Sequence, residues 1–350
     1  MSRHPSHPRR LAVAVLAPAV LALAACTTPP AAQDQPSASA PGTAGAAAEL
    51  TVGLTYTPDI QFAPFYVAAE KGYYEDAGLD VTLRHHGANE GLFTAVAGGQ
   101  EDVVVAGGDE MLQARSQEVP LLDVATLYQE YPVALIVPAD SPIETAADLK
   151  GHKVGIPGPF GETYFGLVAL LHGAGLTEED VAVEHIGFTQ QAALTAGHVD
   201  AVMGYVNNDA VRFALAGQEV RTIPVTEGDV PLVGIGLGVL DATAEDRPED
   251  VAAVVEATLR GVRDTVADPQ EAVELSAEYV PDLGRQDRQE EALATLEATI
   301  PLYGEGDAIG AQSAGTWEAM VTLMQDNGLL DAAVDPAEAW TDEFLPVPSN

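Results

Sequence analysis

The sequence predicts an α/β protein of two lobes, with the second lobe inserted into the first. Short β-rich runs alternate with helical segments from Glu49 onward, and a fresh α/β series begins at Lys153. After residue 240 the chain is almost wholly helical. We therefore expect two hinge crossovers, near 133–139 and 232–240, and a helical C-terminal part. Lobe 1 is expected to comprise residues 49–134 and 233–350, and lobe 2 the inserted residues 135–232.

The first lobe opens with an alternation of strand and helix candidates. The strand candidates are residues 49–56, 79–86, 102–108 and 121–128. The helix candidates between them are residues 62–78, 91–99 and 111–118. Such βαβα alternation predicts a parallel sheet covered by helices, whose ligand lies beyond the carboxyl ends of the strands.

The inserted lobe repeats this pattern before the chain turns helical. Its strand candidates are residues 133–140, 153–158, 181–188, 200–206 and 220–225, and its helix candidates are 164–175 and 190–198. Gly234, Gly236 and Gly238 form a G-x-G-x-G run with no Lys-Ser/Thr after it, so we interpret it as the flexible return crossover rather than a phosphate loop. Further helices are predicted over 248–268, 269–280, 286–300 and 311–328.

The N-terminal segment is typical of an exported lipoprotein. An arginine-containing head precedes the apolar run 11–25, which is a secretory leader and is too short for a comfortable membrane span. The junction Leu23-Ala24-Ala25-Cys26 resembles a bacterial lipobox, in which the cysteine is diacylated. We expect a signal peptide over 1–25 and lipidation at Cys26. A flexible Pro/Ala/Ser-rich tether is expected over 26–48.

This N-terminal segment predicts where the protein works. The lipid on Cys26 would hold the body at the outer face of the cytoplasmic membrane. The alternative is an ordinary secreted protein in which Cys26 is incidental. The sequence leaves the export route, Sec or Tat, open.

Composition excludes several classes of function. The 350 residues include 15 Lys+Arg against 53 Asp+Glu, a net charge of −38, which repels phosphate and excludes sequence-independent nucleic-acid binding. A single cysteine excludes a disulfide framework, a cysteine-based zinc site and a buried thiol nucleophile. The histidines show no metal-binding spacing. We expect neither a metal nor a cofactor.

The loops after the predicted strands supply the candidate binding residues. Aromatic rings, carboxylates and amides dominate these loops, and they contain no Lys or Arg. A flat heterocycle with N–H groups would stack on the rings and donate to the carboxylates. The candidates are Tyr56, Asp59, Phe62, Asn89, Gly108, Asp109, Glu110, Tyr131, Phe160, Glu162, Thr163, Tyr164, Tyr205, Asn207 and Asn208.

Several of these residues also have a purely structural interpretation. Tyr56 and Phe62 could pack in the core, because they stand between a strand and a helix. Asp109, Glu110 and Glu162 could cap helix N-termini, where acids are favourable. Asn207 and Asn208 could belong to a turn.

Two segments carry a resemblance to a known family. LTYTPDIQFAPFYVAAEKGYYEDAGLDV (54–81) and DLKGHKVGIPG (148–158) resemble the NMT1/THI5-like solute-binding proteins of ABC transporters. The resemblance implies a type II periplasmic-binding fold that closes around a solute and delivers it to permease and ATPase subunits. It also implies solutes such as thiamine pyrimidine precursors, riboflavin, alkanesulfonates, taurine or nitrate. We expect a monomer.

The strand-end residues rank these solutes. We expect a thiamine pyrimidine precursor of the hydroxymethylpyrimidine type first and riboflavin second, because an anion would be costly among carboxylates. An alkanesulfonate, taurine or nitrate remains an alternative on the same fold.

Two other functional classes stay open as alternatives. Eukaryotic members of the superfamily synthesise the thiamine pyrimidine with a cysteine-rich motif, which the body of this chain lacks. The chain also lacks G-x-S-x-G and H-E-x-x-H motifs, so we expect a binding protein rather than an enzyme. The remaining alternative is an adhesion or scaffolding lipoprotein that binds no solute.

Overall fold

Two five-stranded sheets form the framework of the computed structural model, which describes residues 47–87, 90–225 and 231–347. The strands of the first sheet are β1 (Ala48–Leu54), β2 (Leu79–His85), β3 (Val103–Gly107), β4 (Leu121–Thr126) and β10 (Ile235–Leu240), in the order β2-β1-β3-β10-β4. The strands of the second are β5 (Val133–Pro138), β6 (Lys153–Ile156), β7 (Ala182–His185), β8 (Ala201–Tyr205) and β9 (Val220–Pro224), in the order β7-β6-β8-β5-β9. The prediction of a two-lobed α/β architecture is confirmed, and all strands of the second sheet lie between β4 and β10 in the chain.

Both sheets are mixed, with parallel pairs as the alternation predicted and one antiparallel strand in each that it did not predict. β10 runs antiparallel to β3 and β4, and β5 runs antiparallel to β8 and β9. These two strands are the first that the chain forms after each passage between the sheets. The first passage comprises only residues 127–132. The chain therefore enters the second sheet at the strand ends nearest the first sheet, and β5 runs away from the first sheet. A parallel strand would need a longer crossover.

Most helices lie where the sequence predicted them, with differences at Gly72 and at helix ends. They are α1 (Ala63–Glu70), α2 (Tyr73–Asp76), α3 (Thr94–Ala97), α4 (Gly108–Ser116), α5 (Gly161–Gly173), α6 (Gln190–Thr195), α7 (Asp209–Leu215), α8 (Asp241–Asp246), α9 (Pro248–Ala267), α10 (Pro269–Leu275), α11 (Gln286–Thr299) and α12 (Ala314–Asp326). The single helix predicted over 62–78 is two helices, because Gly72 adopts a left-handed φ of 71° between them. Helices α7 and α8 were not predicted.

The glycine run is part of a sheet rather than a flexible crossover. Gly236 and Gly238 lie in β10, between β3 and β4. A Cβ on Gly236 would lie 2.8 Å from the carbonyl oxygen of Ala125, and one on Gly238 would lie 2.6 Å from Met111 Sδ. A side chain at Gly236 would therefore collide with the backbone of β4, and the return passage lies between β9 and β10. The first passage also precedes its expected position, since Val133 and Ala134 already belong to β5.

The last helix joins the two lobes at the side of the hinge. Trp317, Met320 and Met324 on α12 are buried in the same hydrophobic cluster as the lobe 2 side chains of α5 and β6. Lobe 1 holds the segment that follows α12, since Gln113 Nε2 donates to the carbonyl oxygen of Leu329 at 3.0 Å. The C-terminal part therefore contributes to both lobes, and not to lobe 1 alone.

Candidate functional site

The carboxyl ends of the parallel strands of both sheets face each other across a cleft. The loops and helix starts after β1 and β3 come from lobe 1, and those after β6 and β8 come from lobe 2. The lobes touch across the cleft, because Asn207 Nδ2 after β8 donates to Thr299 Oγ1 at the end of α11, at 3.0 Å. The structure is thus a closed form.

Three carboxyl groups meet in this cleft, and we call Asp109, Glu110 and Glu162 the carboxyl cluster. Asp109 and Glu110 stand in the first turn of α4, and Glu162 stands in the first turn of α5. Asp109 is fully buried and Glu162 is 3% exposed, whereas Glu110 is partly exposed. The strand–glycine–helix arrangement of both lobes therefore brings acids from two sheets to one place.

Tyrosines from the hinge and from lobe 2 hold the carboxyl cluster. Tyr131, in the first passage, donates its hydroxyl to Asp109 Oδ2 at 2.7 Å and lies 3.0 Å from the main-chain oxygen of Glu162. Tyr205, at the end of β8, donates to Glu162 Oε2 at 2.6 Å. Two main-chain groups add further hydrogen bonds, since Gly107 N–H donates to Glu110 Oε2 at 3.2 Å and Glu110 N–H donates to Asp109 Oδ1 at 2.8 Å.

Burial and mutual repulsion favour the protonated forms of the cluster. Burial raises the pKa of Asp109 to about 7, although the bond from Tyr131 opposes this shift. Burial and the neighbouring charge of Asp109 raise the pKa of Glu110 to about 8. Burial, with the charges of Glu110 and Asp109, raises the pKa of Glu162 well above its usual value.

A second set of polar and aromatic side chains lines the cleft beside the carboxyl cluster. The rings of Tyr128 and Tyr303 meet edge to face at a centroid distance of 5.3 Å. Within the described residues, the buried Tyr303 hydroxyl and Asn207 Oδ1 have no hydrogen-bond partner. Burial raises the pKa of Asp59, and the positive charge of Arg212 on α7 partly offsets this rise. The cleft thus holds two buried tyrosine rings together with hydrogen-bonding atoms that no described residue satisfies.

The remaining residues predicted for the site lie at its edge or outside it. Gly108 is buried beside the return passage, where its N–H donates to the carbonyl oxygen of Gly234 at 3.1 Å. Tyr56 and Phe160 are 44% and 54% exposed. Asn208 stands at the N-cap of α7 and Thr163 is buried on α5. Asn89 and Cys26 lie outside the described residues.

Two predicted residues point away from the carboxyl cluster. Phe62 is buried in the lobe 1 core, edge-on to His85 at a centroid distance of 5.6 Å. Tyr164 donates its hydroxyl to Glu178 Oε1 at 2.9 Å, on another side of α5 from Glu162. Neighbouring helical positions face different directions, so the spacing from Glu162 to Tyr164 turns the ring away from the cleft.

Sequence reasoning missed Tyr128, Thr299 and Tyr303 as cleft residues. Tyr128 belongs to the same strand-end loop as Tyr131, and that position was the available signal. Thr299 is the last residue of α11 and Tyr303 follows that helix, in the C-terminal part where no strand-end rule applies.

Neither a metal centre nor a membrane span is present in residues 47–87, 90–225 and 231–347. No group of three or more His, Cys, Asp or Glu side chains there is arranged to hold a metal ion. No helix there has the length and apolarity that crossing a membrane requires.

Comparisons with known proteins agree with this architecture. Residues 59–272 match the family described as NMT1/THI5 like. The chain is 37% identical to the riboflavin-binding protein RibY of Chloroflexus aurantiacus, over 93% of this chain and 95% of that protein. It is 26% identical to the formylaminopyrimidine-binding protein of Halalkalibacterium halodurans, over 92% and 96% of the two chains.

A solved structure supports the fold. The periplasmic aliphatic sulphonate binding protein SsuA from Escherichia coli superimposes with a TM-score of 0.67 at 19% identity, over 83% of this chain and 91% of that one. This likeness confirms the two-lobed type II periplasmic-binding architecture.

Proposed function

The chain belongs to the NMT1/THI5-like family, and from this premise we propose that it is a solute-binding protein whose solute is riboflavin or a closely related flavin. The observation that carries the flavin is the 37% identity to a riboflavin-binding protein over nearly the whole of both chains. This likeness reverses the order expected from the loops, which placed an aminopyrimidine first. The aminopyrimidine remains the second candidate, because a formylaminopyrimidine-binding protein is 26% identical over a similar length.

The chemistry of the cleft suits a flavin. A flavin has a flat ring with N–H and carbonyl groups and a side chain of hydroxyls. The rings of Tyr128 and Tyr303 offer aromatic faces, and Asn207 and the carboxyl cluster accept hydrogen bonds. A sulfonate or nitrate would lie beside three acids, and any of them that is ionised would repel the anion. The likeness to a sulphonate-binding structure, at 19% identity, concerns the fold alone.

The architecture supports a closing mechanism for uptake. The open lobes admit the solute, and closing buries it between the strand ends. Closing is favoured only to the extent that the solute binds the closed form more tightly. The closed monomer then docks on the permease of an ABC importer, where ATP hydrolysis by the partner subunits drives release.

Riboflavin titration tests this proposal. We expect saturable, one-to-one quenching of flavin fluorescence when the ring stacks on tyrosines, and a raised unfolding temperature. Riboflavin at about 100 times its dissociation constant should add about 2.7 kcal/mol to the free energy of unfolding. The same thermal screen includes hydroxymethylpyrimidine, formylaminopyrimidine, thiamine, taurine, alkanesulfonates and nitrate. Stabilisation by a pyrimidine alone would favour the second candidate, and stabilisation by sulfonate or nitrate alone would contradict both.

A matched pair of variants locates the solute. Tyr205→Phe removes the hydroxyl that donates to Glu162 and should weaken riboflavin binding by up to about tenfold, since an ordinary hydrogen bond contributes about 0.5–1.5 kcal/mol. Tyr73→Phe removes a hydroxyl that donates to Asp264, outside the cleft, and serves as the control. Equal affinities of the two variants would place the solute elsewhere.

We also propose that the protein is exported and lipid-anchored through Cys26. Two acyl chains on one cysteine suffice for stable anchoring. Cys26→Ser is therefore expected to move the protein from the membrane pellet to the soluble fraction or the medium. The measurement is fractionation followed by immunoblotting, with the unchanged chain as control. Retention of the variant in the pellet would show that Cys26 is not the anchor.

A separate experiment tests the alternative that the protein is an enzyme. Incubating the protein with riboflavin or an aminopyrimidine should return the solute unchanged by mass spectrometry. A new product formed by the purified chain alone would overturn the assignment as a binding protein.

A further inference from the structure

The closed cleft crowds acids from both lobes around one glycine. Asp109 Oδ1 and Glu162 Oε1 lie 2.5 Å and 2.9 Å from the position that a Cβ of Gly107 would take. One oxygen belongs to lobe 1 and the other to lobe 2, and Glu110 adds a third carboxyl group beside them. Carboxylates this close repel each other strongly where water is excluded, so the closed form cannot easily keep all three ionised.

No cation of the chain compensates this repulsion in the residues that the structure describes. None of the ion pairs there involves a member of the carboxyl cluster. Glu162 Oε1 is buried and accepts no hydrogen bond from those residues. The titratable and charged groups of the surrounding elements are Asp59 before α1, Tyr128 and Tyr131 in the first passage, Tyr205 at the end of β8, and Asp209 and Arg212 on α7. Among these, the charge of Arg212 acts on Asp59 and Asp209.

We propose that lobe closure is coupled to proton uptake by the carboxyl cluster, so that at least one of its three carboxyl groups takes a proton from water as the lobes meet. A carboxylic acid O–H can then donate to a neighbouring carboxylate, which replaces a repulsion by a hydrogen bond. Opening returns the acids to water, where they ionise and release the proton. This inference rests on the proposed function, because it concerns the closing of the same solute cleft.

The direction of the pH effect follows from the two states. In the open form the acids are solvated and ionise near their ordinary pKa values of 3.8 and 4.5, whereas in the closed form the pKa values of Asp109 and Glu110 rise to about 7 and about 8. Below the ordinary pKa values the acids are protonated in both the open and the closed form, so closing takes up no proton. Between the ordinary and the raised values the closed form binds more protons, so the closed fraction falls as pH rises through this range.

The test measures closure without any solute. Cys26 is the only cysteine, so a Cys26→Ser background accepts two dyes, at Glu75→Cys on α2 of lobe 1 and at Ala214→Cys on α7 of lobe 2, both exposed positions. We expect energy transfer between the dyes to report a closed-to-open ratio that falls with pH between 5 and 8. The fall should approach tenfold per pH unit if one proton is linked.

Isosteric variants assign the effect to the cluster. Glu162→Gln and, separately, Asp109→Asn remove one acid from the cluster, and each should flatten the pH dependence and raise the closed fraction at pH 8. Asp123→Asn is the control, because Asp123 is a buried acid with a raised pKa in the lobe 1 sheet, outside the cleft. The control should keep the full pH dependence of the unchanged chain.

The outcomes separate this inference from the choice of solute. A closed-to-open ratio that stays constant from pH 5 to 8, or a pH dependence that survives in both cluster variants, overturns proton-coupled closure. A pH-dependent closure in a chain that fails to bind riboflavin upholds the coupling and refutes only the flavin. Riboflavin binding together with pH-independent closure would support the flavin and refute the coupling.

Discussion

Gly107→Ala is expected to weaken riboflavin binding about tenfold while leaving both lobes folded. The added methyl group would lie 2.9 Å from Glu162 Oε1 and 2.5 Å from Asp109 Oδ1, closer than a Cβ tolerates. Glu162 belongs to lobe 2, so its collision arises only when the lobes close. Overpacking costs about 1–3 kcal/mol, and the lower part of this range applies because both oxygens end side chains that can shift, which corresponds to about tenfold in affinity.

Fluorescence titration with riboflavin measures this loss, and Gly284→Ala provides the control. A Cβ at Gly284 meets no atom within 4 Å, so that variant should bind as the unchanged chain does. Circular dichroism and thermal unfolding verify that both variants are folded. If Gly107→Ala binds riboflavin normally, closure does not bring Glu162 against this glycine.

Gly261→Ala should have the largest effect on stability, a loss of about 3 kcal/mol or more. Glycine in a helix interior normally costs about 1 kcal/mol relative to alanine, so the simple expectation is a gain. Here α9 crosses α1 so closely that a Cβ on Gly261 would lie 2.1 Å from the carbonyl oxygen of Pro64. Because that atom is backbone, the two helices must separate in the lobe 1 core.

Urea unfolding of the full chain checks the sign of this effect. Gly315→Ala is the matched control, since Gly315 stands exposed in the first turn of α12 and its Cβ would meet nothing closer than Ser313 Oγ at 3.9 Å. We expect this control to gain up to about 1 kcal/mol. A gain at Gly261 as well would mean that α1 and α9 lie farther apart.

The fold could be predicted from periodicity because each lobe repeats one local pattern. The predicted strand 79–86 differs from β2 by a single residue, and the predicted strand 220–225 differs equally from β9. What periodicity could not predict is strand direction. The residues of β5 and β10 are apolar like those of their parallel neighbours, and only the short passages before them make them antiparallel.

The site was predictable where it follows from strand ends. Asp109, Glu110 and Glu162 stand after glycines that end strand-to-helix turns, and that position alone indicated the cleft. The sequence could not show that the three acids meet, since this contact depends on how the lobes close. It also gave Tyr303 no signal, because that ring reaches the cleft from the end of α11 through tertiary packing.

The position of α12 in the sequence affects when the hydrophobic core of lobe 2 can be completed during synthesis. Lobe 2 lies in the middle of the sequence, yet its hydrophobic cluster includes Trp317, Met320 and Met324 near the end. Since Trp317 is 1% exposed in the finished structure, its partners in lobe 2 stay uncovered until nearly the whole chain has been synthesised. The inserted lobe of a growing chain therefore remains short of its final packing until α12 has been added, although all of its own strands precede that helix.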